Sequence, residues 1–144
     1  MDAFESDRSR YPTHSAYVKA ARDHVRRVAT SWGLVDSVVS DLALLASELA
    51  TNVVLHVGQS NGQEFGVMLH LSPDNVRLEV RDTGPGMVSV QDPSADETTG
   101  RGLLMVDALA DRWGIVTQVL GKIVFAEICL VKPSPPNRKG VSRV

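Results

Sequence analysis

The chain has 144 residues, with 15 basic and 17 acidic side chains and a formal net charge of -2. It is long enough for one domain with its own hydrophobic core, and too evenly charged for nucleic acid or an anionic membrane to be a general electrostatic partner. Its one cysteine, Cys129, excludes an intrachain disulfide; in its apolar run it reads as a buried structural thiol of a reducing, cytoplasmic protein.

Charges at Asp2, Glu5, Asp7 and Arg8 occupy the place where a signal peptide needs an apolar stretch. Residues 1–14 carry mixed charge without a clear period, and read as a frayed N-terminal arm or an edge strand. From Ser15 to Trp32, Val18, Ala21, Val25, Val28, Ala29 and Trp32 keep helical spacing, and Gly33 stands where a helix stops. Asp36 and Ser37 offer N-caps for a second helix running to about Val57 and closed by Gly58. Asp41, Glu48, Asn52 and His56 interrupt its apolar run, so it is not expected to span a membrane.

Phe65, Val67, Leu69 and Leu71, then Val76, Leu78 and Val80, alternate with other residues across a Ser72-Pro73-Asp74-Asn75 turn. That pattern predicts a hairpin with one wet face. Val88 to Thr99 has no apolar period and reads as a long loop of the kind used for lids. A third helix is expected from about Gly102 to Arg112, with Leu103, Val106, Leu109 and Ala110 inward and Gly114 after it. Ile115–Leu120 and Ile123–Val131 form a second predicted hairpin, joined at Gly121-Lys122. The domain is then residues 15–131, and the proline-rich basic segment 132–144 reads as a disordered tail. The order α-α-β-β-α-β-β implies an α+β, two-layer sandwich: a mixed, mostly antiparallel sheet with helices on one face.

Three stretches carry candidate chemistry. In Ser47-Glu48-Leu49-Ala50-Thr51-Asn52-Val53-Val54-Leu55-His56, the residues Glu48, Asn52 and His56 share one helical face by their spacing of four. An unpaired buried amide costs about 2 to 7 kcal/mol, so something polar should meet that face. Arg81-Asp82-Thr83-Gly84-Pro85-Gly86-Met87 follows a strand pattern, and Thr98-Thr99-Gly100-Arg101-Gly102-Leu103 opens a helical one. Each alone has a structural explanation. The first is a partly solvated helix edge, the second a turn, and the third a flexible connector.

Together, in this order, the three resemble the GHKL, or Bergerat-fold, ATP-binding superfamily, in particular the small anti-sigma factor serine/threonine kinases. The resemblance runs from about Ala16 to Ile128 and includes Trp32-Gly33-Leu34 and Ala108 to Gly114. It implies that Glu48 is a general base, that Asn52 ligates Mg²⁺, and that Asp82, Gly84, Gly86, Thr99, Gly100, Arg101, Gly102 and Leu103 line the ATP site. Physical chemistry is compatible with each role. Mg²⁺ keeps waters and needs few protein oxygens. A carboxylate can accept from the adenine amine, glycines clear space for the base, and a helix start suits phosphates. The resemblance also implies a sigma factor and an anti-anti-sigma protein as partners, with no direct nucleic acid or membrane contact, and leaves a homodimer open. A nucleotide-dependent module that sequesters a partner without phosphorylating it is the alternative.

The sequence departs from that family pattern at Val53, Thr99 and Ile123, the last standing where relatives often place a threonine after Gly-Lys. Other nucleotide signatures are missing. Gly121-Lys122 lacks the earlier glycine of a P-loop, and neither glycine pair completes a dinucleotide fingerprint. One cysteine and the scattered His14, His24, His56 and His70 do not make a zinc set.

Overall fold

A computed structural model describes residues 5–57, 63–82, 103–118 and 121–131. Its strands are β1 (Glu5–Pro12), β2 (Glu64–Leu71), β3 (Asn75–Asp82), β4 (Arg112–Gln118) and β5 (Gly121–Cys129), and its first two helices are α1 (Val18–Ser31) and α2 (Asp36–Val57). Residues 103–109 form a further helix, α3. The five strands make one sheet in the order β1-β2-β3-β5-β4, antiparallel at all four pairings rather than mixed. Because β5 lies between β3 and β4 and is antiparallel to both, β3 and β4 run parallel, and the chain must cross over between them.

The helices form because their apolar residues share a face. In α1, Ala21, Val25 and Ala29 are fully buried, and Val18, Val28 and Trp32 pack on the core from the flanks. Gly33, at φ +78°, ends the helix: its N–H donates to the Thr30 carbonyl, and the Leu34 N–H reaches back to Ala29. This pair of bonds is a Schellman closure, which a residue with a Cβ forms only at a cost. Expected caps at Asp36 and Ser37 are displaced by one residue in α2. The Val35 carbonyl accepts from the Val38 and Val39 N–H groups, and Asp36 stands in the first turn, where its charge meets the positive helix end.

α2 is the central element. It buries Val39, Leu42, Leu45, Ala46, Leu49, Ala50, Val53 and Val54 and packs on α1, β2, β3 and β5. Residues Asp36–Leu55 have the length and hydropathy of a membrane span, yet half of that stretch is buried inside the domain, as a core helix requires. Beneath it the strands alternate: Phe65, Val67, Leu69, Val76, Leu78, Val80, Val124, Ala126 and Ile128 join the core cluster, and their neighbours point to the other face. α3 docks through Val106, fully buried, with Leu103, Leu109 and Ala110 against the same cluster.

Several boundaries differ from expectation. Of the two readings of the N-terminal segment, the edge strand is realised: β1 pairs with β2 from Glu5↔Leu71 to Pro12↔Glu64. α3 stops at residue 109 rather than Arg112, because the Asp111 N–H and carboxylate are taken by β5. The N–H donates to the Glu127 carbonyl at 2.8 Å, and the carboxylate accepts from the Cys129 N–H at 2.7 Å. β4 therefore begins at Arg112, and Gly114 lies inside a strand instead of ending a helix. Cys129 is half-buried rather than enclosed. The expected lid, Val88 to Thr99, and the tail 132–144 lie outside the described residues.

Gly114 has a packing reason to be glycine. The Phe125 ring covers it so closely that a Cβ would sit 2.9 Å from two ring carbons. The Arg77 guanidinium stacks 3.9 Å from the centre of that ring and also donates to Glu79 and Glu127, both at 2.8 Å. Gly114→Ala is expected to tilt the ring off this stack and lower the unfolding free energy by about 1–2 kcal/mol. Urea melts would read this as a lower midpoint at unchanged slope; an unchanged midpoint would mean that the ring has room to spare.

Candidate functional site

The layer arrangement places Glu48, Asn52 and Asp82. On α2 the buried stripe leaves Glu48 and Asn52 at its edge, both half-buried, with Leu44 and Leu55 exposed beside them. A helix that must keep such a wide apolar face covered has only this margin for polar groups. The backbone of His56 continues the helix.

Asn52 has an unanswered group. Its Nδ2 is buried and has no hydrogen-bond partner among the described residues. Leaving one end of an amide buried and unpaired costs roughly 1–3 kcal/mol, and most buried polar atoms in folded proteins avoid that cost. The two ends of a carboxamide are nearly isosteric, so a half-turn about χ2 brings Oδ1 to the same position. The site can therefore present either a donor or an oxygen ligand.

Asp82 closes β3. It shares a face with Val76, Leu78 and Val80, which all belong to the core cluster, so its carboxylate is on the helix side of the sheet. It is 3 % exposed, one of two buried polar or charged residues among those described. Since α2 packs on β3, Glu48, Asn52 and Asp82 belong to the two facing layers of one interface. Among the described residues no group of three or more His, Cys, Asp or Glu side chains is placed to hold a metal ion. An ion bound here would rely on few protein ligands.

One positioning residue escaped the sequence reading. The sequence reads Gly121 as a turn residue, but it opens β5, and its backbone abuts β3. A Cβ there would collide with the Asp82 carbonyl oxygen, and its φ of +136° is one that side chains disfavour. Gly121 thus lets β5 approach the strand end that carries Asp82. A glycine directly before the strand's first charged residue, Lys122, was the available signal, and only the tertiary contact distinguishes it from ordinary turn chemistry.

Ile123, where relatives often place a threonine, is on the other side of the sheet from Asp82. It pairs in register with Arg81, while Lys122 pairs with Asp82, and it is buried without belonging to the core cluster. This departure from the family pattern therefore lies on the sheet face opposite Asp82. Leu103 stands at the described start of α3, partly buried against the core. Gly84, Gly86, Thr99, Gly100, Arg101 and Gly102 lie outside the described residues.

Against this geometry, comparisons with known proteins agree in kind. A family profile for the histidine kinase-like ATPase domain matches residues 11–127. The chain is 27% identical over 84 residues to the serine-protein kinase RsbW of Bacillus cereus (strain Q1), an alignment covering 58% of this chain and 52% of the relative. The RsbW of Bacillus thuringiensis subsp. konkukian matches to the same extent. The chain thus spans about half the length of these curated relatives. A crystal structure of the RsbU and RsbW domains of Rv1364c from Mycobacterium tuberculosis superposes with a TM-score of 0.64 at 21% identity, covering 91% of this chain and 34% of that one, which establishes the likeness of fold.

If the amide of Asn52 is kept for a ligand rather than for folding, removing it should help the free protein. Asn52→Leu, close in volume, is expected to raise the unfolding free energy of the ligand-free chain by about 1 kcal/mol, measured by thermal or urea melts. A clear loss of stability instead would show that the amide has a structural partner in the folded chain.

Proposed function

The chain belongs to the histidine kinase-like ATPase domain family, and on that premise we propose that it is an ATP-binding serine/threonine protein kinase of the anti-sigma factor kind. It holds a sigma factor and phosphorylates a small anti-anti-sigma protein in a cytoplasmic regulatory switch. The observation that carries this reading is the pairing of layers: a buried carboxylate, Asp82, at a strand end facing the helices, under a helix whose Asn52 keeps a buried amide end unanswered.

In this reading Asp82 accepts the hydrogen bond of the adenine amine from its buried place at the end of β3, and a base without that donor would forfeit the bond. Gly84 and Gly86 clear room for the base. Thr99, Gly100, Arg101, Gly102 and Leu103 bring backbone amides, one guanidinium and the start of α3 to the phosphates. The unanswered carboxamide of Asn52 fits a hard cation through Oδ1, so Asn52 is the residue that would hold Mg²⁺. Bound there, the ion would supply neutralisation of phosphate charge. Glu48, one helical turn before Asn52, takes the proton of the acceptor hydroxyl while the γ-phosphoryl group passes to that oxygen and ADP leaves. The 27% identity to RsbW serine-protein kinases supports this choice of chemistry over other activities of the family.

Glu48→Gln keeps the size and hydrogen-bonding capacity of the side chain and removes the base. The variant is expected to bind Mg-ATP within a few fold of wild type and to hold its partner, yet to lose transfer of labelled phosphate by about 10²-fold or more. If the wild-type chain transfers no phosphate to any co-purifying protein while ATP changes its affinity for that protein, a partner-sequestering module without kinase activity replaces the kinase.

A further inference from the structure

The helix-free face of the sheet has a hollow that the nucleotide reading does not use. Arg10, Gly66 and Arg81 stand side by side on β1, β2 and β3, and Arg8 and Met68 form the next row. Gly66 has no side chain where its neighbours have long ones, and a Cβ placed there would meet nothing closer than the Ser9 carbonyl at 3.9 Å. The result is a cavity of about 410 Å³ lined by Arg8, Ser9, Arg10, Gly66, Met68 and Arg81. That volume is within the usual range of small-molecule sites and larger than one phosphate needs.

Its charge is poorly compensated. Arg10 reaches Glu64 at 3.6 Å, with the arginine side chain largely in solvent and the glutamate about half exposed, so the contact is weak. Neither Arg8 nor Arg81 has an acidic partner among the described residues. The other carboxylates on this face, Glu79 and Glu127, each already accept from Arg77 at 2.8 Å. Arg81 Nε is buried, between the hollow and the Ile123 position, and has no hydrogen-bond partner among the described residues. A buried guanidinium N–H without an acceptor is costly, and arginine forks match the oxygens of phosphate groups.

We propose that this hollow binds a small polyphosphate-bearing anion, on the sheet face opposite Asp82 and independently of the proposed kinase site. Three guanidinium groups against one solvent-exposed carboxylate call for a ligand of more than one negative charge. The size of the cavity calls for more than a single phosphate.

The test is a titration of the full chain with inorganic tripolyphosphate, followed by heteronuclear NMR at the Gly66 amide and the Arg81 Nε–H. Both signals should shift saturably, with affinity falling as salt is raised. Gly66→Leu, which fills the hollow, and Arg8→Gln, which removes an exposed cation, should each weaken binding about tenfold or more. Arg8→Gln changes a solvent-facing edge position and keeps the test decisive if Gly66→Leu does not fold. Absence of a saturable shift at Gly66 and Arg81, equal affinity in the Arg8→Gln variant, or binding of inorganic phosphate or a glutamate-rich peptide as tight as tripolyphosphate would each overturn the proposal.

Discussion

Covering one face of a sheet with helices forces each strand residue to take a side, and the whole molecule is organised by that choice. Val76, Leu78 and Val80 take the helix side, and because side chains alternate, Asp82 must follow them there while Arg77, Glu79 and Arg81 face away. A one-residue slip of β3 would move a carboxylate out of the domain and a guanidinium into it. Burial of the apolar triplet, at about 25 cal/mol per Å² removed from water, therefore also fixes the position of the one charged residue buried among those described.

The same packing accounts for the unfavourable features. A well-packed interface seldom tolerates an amide end without a partner and a strand opening at φ +136° in adjoining layers. Here Asn52 and Gly121 supply one each, beside the buried Asp82. They are affordable because α1, α2 and three strands contribute one continuous apolar cluster. Local costs of this kind concentrate where a protein reserves groups for a ligand.

What the sequence disclosed follows the strength of its periodicity. α1, α2 and the β2–β3 hairpin bury strong apolar patterns, and Glu48, Asn52 and Asp82 could be placed because they interrupt or end those patterns. β1 was ambiguous for a physical reason. As an edge strand it has polar residues on both sides: Arg8 and Arg10 outward, and Asp7 inward, where it meets His24 at 2.7 Å; Tyr11, against the Phe65 ring, is its apolar contact. The end of α3 and the start of β4 were misjudged because Asp111 and Gly114 look like ordinary helix punctuation. Their actual work is tertiary, one binding the β5 backbone and the other lying beneath Phe125. Gly121 was misjudged likewise, since close approach to another strand leaves no periodic trace.

Calorimetric titration of ATP with and without EDTA, on the wild-type chain, Asp82→Asn and Asn52→Ala, tests the division of the site between base and metal most directly. Asp82→Asn should weaken ATP in both conditions, because it removes the proposed acceptor for the adenine amine, whereas Asn52→Ala should remove mainly the part of the affinity that depends on Mg²⁺. Failure of the wild-type chain to bind ATP, or equal losses for both variants with and without the metal, would contradict it.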